Sequence, residues 1–182
     1  MMDPTTAGPG IGIPRVRFST MRAIRRELLW LTIAMATACT SEQSQDKEAE
    51  IAQVEAAIDG TIAWAKTKNF DRLYGIIAND SAYLEVHPED VVVKGFTEFK
   101  GMEQFWASPD FRAVRHEIRD LQITLSRSGD VAWFFCILDD INEWRGQPAS
   151  WINTRWTGVL EKREGRWTMV QMHFSNPVGE SG

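Results

Sequence analysis

Arg155 and His173 are the residues whose types and spacing best suit chemistry: a fixed cation and an imidazole that can take or give a proton. They stand in two stretches, 151–161 and 166–175, rich in aromatic and β-branched residues and free of proline, as interior strands require. Between them, Lys162-Arg163-Glu164-Gly165 reads as a hairpin turn. A three-residue loop over 163–165, with Gly165 left-handed, sets Lys162 opposite Arg166 and, counting back, Arg155 opposite His173. A two-residue loop would shift the register by one and send those two side chains to opposite faces. The glycine favours the first. On that register, Arg155 and His173 share a face with Trp151, Trp167 and Gln171, the make-up of a pocket wall. Against it stands the plainer reading of a surface arginine and a satisfied core histidine.

The other candidates are carboxylates and aromatics. Asp139-Asp140 ends an apolar strand, so the two side chains take opposite faces and at most one points inward. Asp139 joins His173 as a candidate base, with Arg155 as the stabiliser of an oxyanion. Tyr83, Glu85 and His87 lie on one face of a short strand. Tyr83 is taken as a ligand contact and His87 as support for the turn at Pro88. Trp106, Trp133, Trp151 and Trp167 are candidate aromatic walls, although aromatics at strand spacing are more often core. His116 opens a strand and reads as solvated.

These residues need elements to hold them. From about 46 to 68, Ile51, Val54, Ile58, Ile62 and Ala65 recur at helical spacing. Asn69 caps a second, shorter helix, and Thr97 a third whose apolar side is Phe96, Phe99, Met102, Phe105 and Trp106. Short strands fall at 82–87 and 91–95, and long ones at 116–126, 131–144, 151–161 and 166–175. In the third long stretch counted from the end, 131–138 is a nearly unbroken apolar run, the pattern of a strand covered on both faces. The order is helix, helix, strand, helix, then a meander of four long strands: an α+β domain with three helices packed on a strongly curved antiparallel sheet. Where the helices do not reach, a central pocket floored by strand residues remains.

Composition narrows the functions. In 182 residues, 43% are hydrophobic, with eight tryptophans and nine phenylalanines, enough for a proper core. The net charge of −5 argues against nucleic acid, whose phosphates need a basic face. There is no glycine-rich phosphate loop, zinc-spaced Cys/His set or nucleophile elbow, so neither a metal nor a cofactor is expected. Cys136 sits in the apolar run as a small buried hydrophobe.

The first forty residues read as an address. A basic stretch at 21–26 precedes an apolar run at 28–38, too short to span a bilayer and suited to a secretory signal. Its end, Met35-Ala36-Thr37-Ala38-Cys39, resembles the lipobox of bacterial lipoproteins, which implies lipid on Cys39; the alternative is ordinary cleavage after Ala38. Translation is expected to start at Met21, with 39–47 a flexible tether, 48–177 the domain and 178–182 a tail. Removal of 1–38 leaves 15 basic and 23 acidic residues, a net charge of −8. Such a chain would sit in the bacterial envelope, touching the membrane through its lipid alone.

The order of elements, the segments Arg155-Trp156-Thr157-Gly158-Val159-Leu160-Glu161 and Gly165-Arg166-Trp167, and the terminal Met172-His173-Phe174-Ser175 resemble the SnoaL-like branch of the nuclear-transport-factor-2-like superfamily. The resemblance covers about 48–177. It implies a conical α+β fold with a pocket between sheet and helices, often a homodimer through the outer sheet face, where Trp156 is expected. Activity is left open, because the superfamily is similar in shape to ketosteroid isomerase, polyketide cyclases, dehydratases and pure binders. Three readings follow: a domain that binds a small, partly apolar molecule, which is preferred; an isomerase, cyclase or dehydratase working by proton transfer; and a dimeric interaction module.

Overall fold

A computed structural model describes residues 45–177. The leader at 21–38, Cys39, most of the tether and the tail lie outside the described residues. Helix α1, residues 45–63, runs into a 3-10 turn at Trp64–Lys66. It buries Val54, Ile58 and Trp64 and leaves Glu48 and Glu55 in water, the stripe that its periodicity demands. Asn69 caps α2 (Phe70–Tyr74), accepting the Arg72 N–H at 2.9 Å.

Two short strands follow, β1 (Leu84–Val86) and β2 (Val92–Lys94). The third helix differs from expectation. It begins at Phe96 behind Gly95, whose φ of 83° is a glycine conformation, and it breaks at Met102 into α3 (Phe96–Gly101) and α4 (Glu103–Ala107). Thr97 caps nothing there. Glu98 instead reaches back to accept the Lys94 N–H at 2.9 Å.

The long strands are β3 (Phe111–Leu125), β4 (Val131–Trp144), β6 (Trp151–Arg163) and β7 (Arg166–Ser175), with the two-residue β5 (Gln147–Pro148) against the end of β4. The sheet order is β2-β1-β7-β6-β4-β3. The meander of long strands is antiparallel throughout, but β1 joins β7 in parallel, so the sheet is mixed. Ile77 and Ala78 start that docking, with the Ala78 N–H donating to the Met169 carbonyl at 2.9 Å.

Extra residues curl the sheet. Asp120 and Asn153 take φ of 52° and 53° at register shifts in β3 and β6. The first of these puts Leu121 back in phase with Ile118 despite the odd spacing. Helices thus pack on the concave face of a strongly curled sheet, and the core of Trp156, Leu160, Phe134, Cys136, Leu138, Met169 and Phe174 lies between them. The run at 131–138 is not covered on both faces of the chain: Ala132, Phe134, Cys136 and Leu138 are buried, whereas Trp133 is 48% exposed.

Candidate functional site

The β6–β7 hairpin turns in two residues. Glu164 and Gly165 both have positive φ and Arg163 pairs with Arg166, not Lys162 as the three-residue loop required. Further along, Val159 pairs with Gln171 but Leu160 with Met169, so Val170 is an extra residue. Turn and bulge each move the register by one. Arg155 and His173 therefore return to one face, but Arg155 pairs with Ser175 and His173 with Thr157.

That face is the convex one. Both side chains are exposed, and the Arg155 Nη2 donates to the Asn176 carbonyl at 2.7 Å. The concave positions of β6 and β7 are Thr154, Trp156, Gly158, Leu160, Met172 and Phe174. Gln171 and Trp133 face outward with His173, and neither meets the chamber described below. Trp156 is fully buried, which removes it from any outer interface. Trp167 is buried at the other end of the sheet, where its Nε1 donates to Glu50 of α1 at 2.8 Å. Asp139 also turns outward, accepting from Arg119 at 3.1 Å and from the Asn153 N–H at 2.7 Å.

The chamber lies between α1, α3, α4 and the curled sheet, with a volume of about 360 Å³. Its walls are mostly apolar: Ile62, Trp64, Leu73, Phe99, Met102, Trp106, Trp151, Met172 and Phe174. Two of the expected tryptophans thus stand where a ligand would lie. Trp106 packs edge-on to Trp64, and Trp151 packs against Phe174. Polar groups enter from two strands, Glu85 and His87 from β1 and its exit, and Asp140 and Asn142 from β4.

The first set is a row on one face. The Tyr83 hydroxyl, wholly buried, donates to Glu85 Oε2 at 2.6 Å, and His87 Nε2 meets Glu85 Oε1 at 2.8 Å. Burial, and then the Glu85 charge, push the Tyr83 phenol well above its ordinary value, so it stays a donor. A carboxylate accepting from Nε2–H leaves Nδ1 of a neutral His87 as the basic nitrogen. Trp151 stands perpendicular to the His87 ring at 5.3 Å between centroids, and it is also the cross-strand partner of Asp140. Tyr83 therefore belongs to the site one layer behind the wall.

The second set is an acid. Desolvation raises the Asp140 carboxyl above its ordinary value, opposed by the Asn142 Nδ2, which donates at 2.8 Å, and by the Coulombic influence of His116. An apolar chamber thus receives a carboxyl whose charged form burial disfavours and an imidazole hydrogen-bonded to a second carboxylate. This is the separation of roles that acid–base chemistry needs. Among the described residues, no cluster of three or more His, Cys, Asp or Glu side chains is placed to hold a metal ion.

Sequence reasoning placed Glu85 and His87 on one face with Tyr83 but assigned His87 to its turn. Strand parity held the missing signal for Asp140: it follows Cys136 and Leu138 at steps of two, and both are core residues.

Comparison with known proteins gives a consistent picture. The family model of a SnoaL-like domain matches residues 54–179. None of the curated proteins is matched by this sequence. Among solved structures, the chain is similar to a candidate dehydratase of the NTF2-like family from Streptomyces avermitilis, with 16% identity and a TM-score of 0.63 over 73% of this chain and 99% of the other. It is also similar to a candidate scytalone dehydratase from Novosphingobium aromaticivorans, with 12% identity and a TM-score of 0.64 over 76% and 99%. A candidate calcium/calmodulin-dependent kinase II association domain from Exiguobacterium sibiricum aligns at 8% identity and a TM-score of 0.58, over 71% and 95%. At such identities the likeness concerns the fold alone.

Proposed function

The chain belongs to the SnoaL-like domain family, and on that premise we propose that its chamber binds a small, largely apolar carbonyl compound and moves a proton on it. The observation that carries this reading is the convergence of Asp140 and the Tyr83–Glu85–His87 row on one apolar chamber. On a β-hydroxy ketone, His87 Nδ1 takes the proton next to the carbonyl. Asp140 gives its proton to the departing hydroxyl, which leaves as water, and the C=C bond forms between the two carbons. The product is an unsaturated ketone. Dehydratase names among structures of similar fold agree with the reaction class and add no residue-level support. Arg155, His173 and Asp139 have no part in this reading, because they face away from the chamber.

The test uses 4-hydroxy-4-phenylbutan-2-one, whose dehydration product absorbs in the near ultraviolet. The wild type is expected to turn it over, and Asp140→Asn and His87→Gln each to lose about a hundredfold or more, the usual weight of one general acid or base. Binding of the ketone without turnover in the wild type would return the chain to the simpler role of a binder.

Export completes the proposal. The leader at 21–38 and Cys39 support delivery to the envelope with lipid on Cys39. Mass spectrometry of the chain purified from its own host is expected to show a diacylglyceryl mass at Cys39, and Cys39→Ser to remove it. Cleavage after Ala38 without added mass would leave a soluble exported domain instead.

A further inference from the structure

His116, which opens a strand in the sequence reading, is the direct cross-strand partner of Asp140. Directly opposed residues of antiparallel strands share a face, with Cβ atoms about 4.5–5.5 Å apart. The two side chains look onto different spaces. Asp140 lines the chamber, whereas His116 lines an open groove under α1 with Glu55, Asp59, Ile118 and Leu121. Each of the two spaces thus receives one member of the pair.

His116 is also held. Its Nε2 lies 2.8 Å from the Asp59 Oδ1, with the imidazole 25% and the carboxylate 48% exposed, so solvent reaches both. We infer that His116, clamped by Asp59, is a positioning residue for Asp140 and the route by which that carboxyl regains its proton from solvent. The inference rests on the acid role proposed above for Asp140. An acid that hands its proton to a leaving hydroxyl becomes a buried carboxylate and must be recharged before the next turnover. The imidazolium of His116 supplies that proton, and the neutral ring takes a replacement from water in the groove. His87 returns to solvent the proton that it took from the substrate, so proton count and charge balance over each cycle.

The other groups around Asp140 do not offer this exit. Asn142 on β4 and Trp151 on β6 carry no titrating proton, and Glu85 and His87 lie on the chamber side with the substrate. On α1, Asp59 and Glu55 belong to the groove, and Asp59 is tied to His116. The Coulombic influence of His116 already acts on the Asp140 carboxyl against its desolvation.

Two measurements on the intact chain test this. In protein labelled with carbon-13 at aspartate carboxyls, the Asp140 titration midpoint should move upward in His116→Gln, because glutamine keeps a hydrogen bond to Asp59 but carries no charge. With 4-hydroxy-4-phenylbutan-2-one as probe, His116→Gln should lose turnover at unchanged KM, and added imidazole in the groove should restore it. An Asp140 titration unmoved by His116→Gln, or a turnover loss that imidazole does not repair, overturns the inference. Inactivity of the wild type is a different result: it removes the acid role of Asp140 itself, and the recharging route with it.

Discussion

At the scale of single residues, the chemistry proposed for the chamber turns on a carboxyl that the fold disfavours in its charged form. Burial raises the folded-state pKa of Asp140 above its unfolded value. Its stabilising contribution is therefore present at low pH, below the unfolded value, and lost as pH rises through the folded one. Asp140→Asn has no charge to bury. Urea unfolding over a pH series should show the variant gaining on the wild type as pH rises from acid towards neutral, and a pH-independent difference would refute it. The same substitution that is expected to cost activity is thus expected to gain stability relative to the wild type as pH rises, a trade common at sites built for function. Glu85 works differently. Tied to Tyr83 and His87 at once, it is a buried carboxylate with two donors, and its burial is compensated.

Among the elements, the β6–β7 hairpin decides which side chains the chamber receives. Gly158 lies on its concave face against Phe134, and a methyl there would meet the Phe134 ring at 2.5 Å and the Gln171 carbonyl at 2.6 Å. A ring edge could swing away, but the carbonyl belongs to the paired strand and cannot move without breaking the ladder. Gly158→Ala is expected to cost roughly 1–3 kcal/mol, the usual range for overpacking, read as a lower urea midpoint with an unchanged m-value. The extra residue Val170 matters as much, since it sends Met172 and Phe174 inward and His173 out. A chain with the three-residue turn and no bulge would have placed the same residues on the same faces with a different diagonal, so the inward set is decided by parity and not by the exact pairing.

For the whole molecule, the convex face poses a separate question from the concave one. Trp133, at 48% exposed, lies there with half-buried Phe135, Ile137 and Val159 and with Thr157 and Gln171, a mixed apolar patch of the kind that protein partners cover. These residues support a homodimer through the outer sheet face, the assembly that the family resemblance implies. Sedimentation should give twice the chain mass for the wild type and one chain mass for Trp133→Glu, with the same circular dichroism. A wild type that sediments as a monomer would end that proposal. Charge placed at the fully buried Trp156 would unfold the domain and report nothing about assembly.

The elements and their order were legible in the sequence because they depend on local patterns. The 3.6-residue stripe of α1, the Asn69 cap, the limits of β4 and the run of long strands all follow from periodicity, capping and turn residues within a few positions of one another. The family resemblance rested on the same local segments, and the match over 54–179 bears it out. Which face of the last hairpin meets the helices was not local. Arg155 and His173 do share a side, but that side is chosen by where Trp156, Leu160 and Phe174 can be buried, a competition that only the assembled sheet and helices settle. The same competition turns Asp140 in and Asp139 out, and it brings His87 from the exit of β1 to the chamber that Asp140 lines.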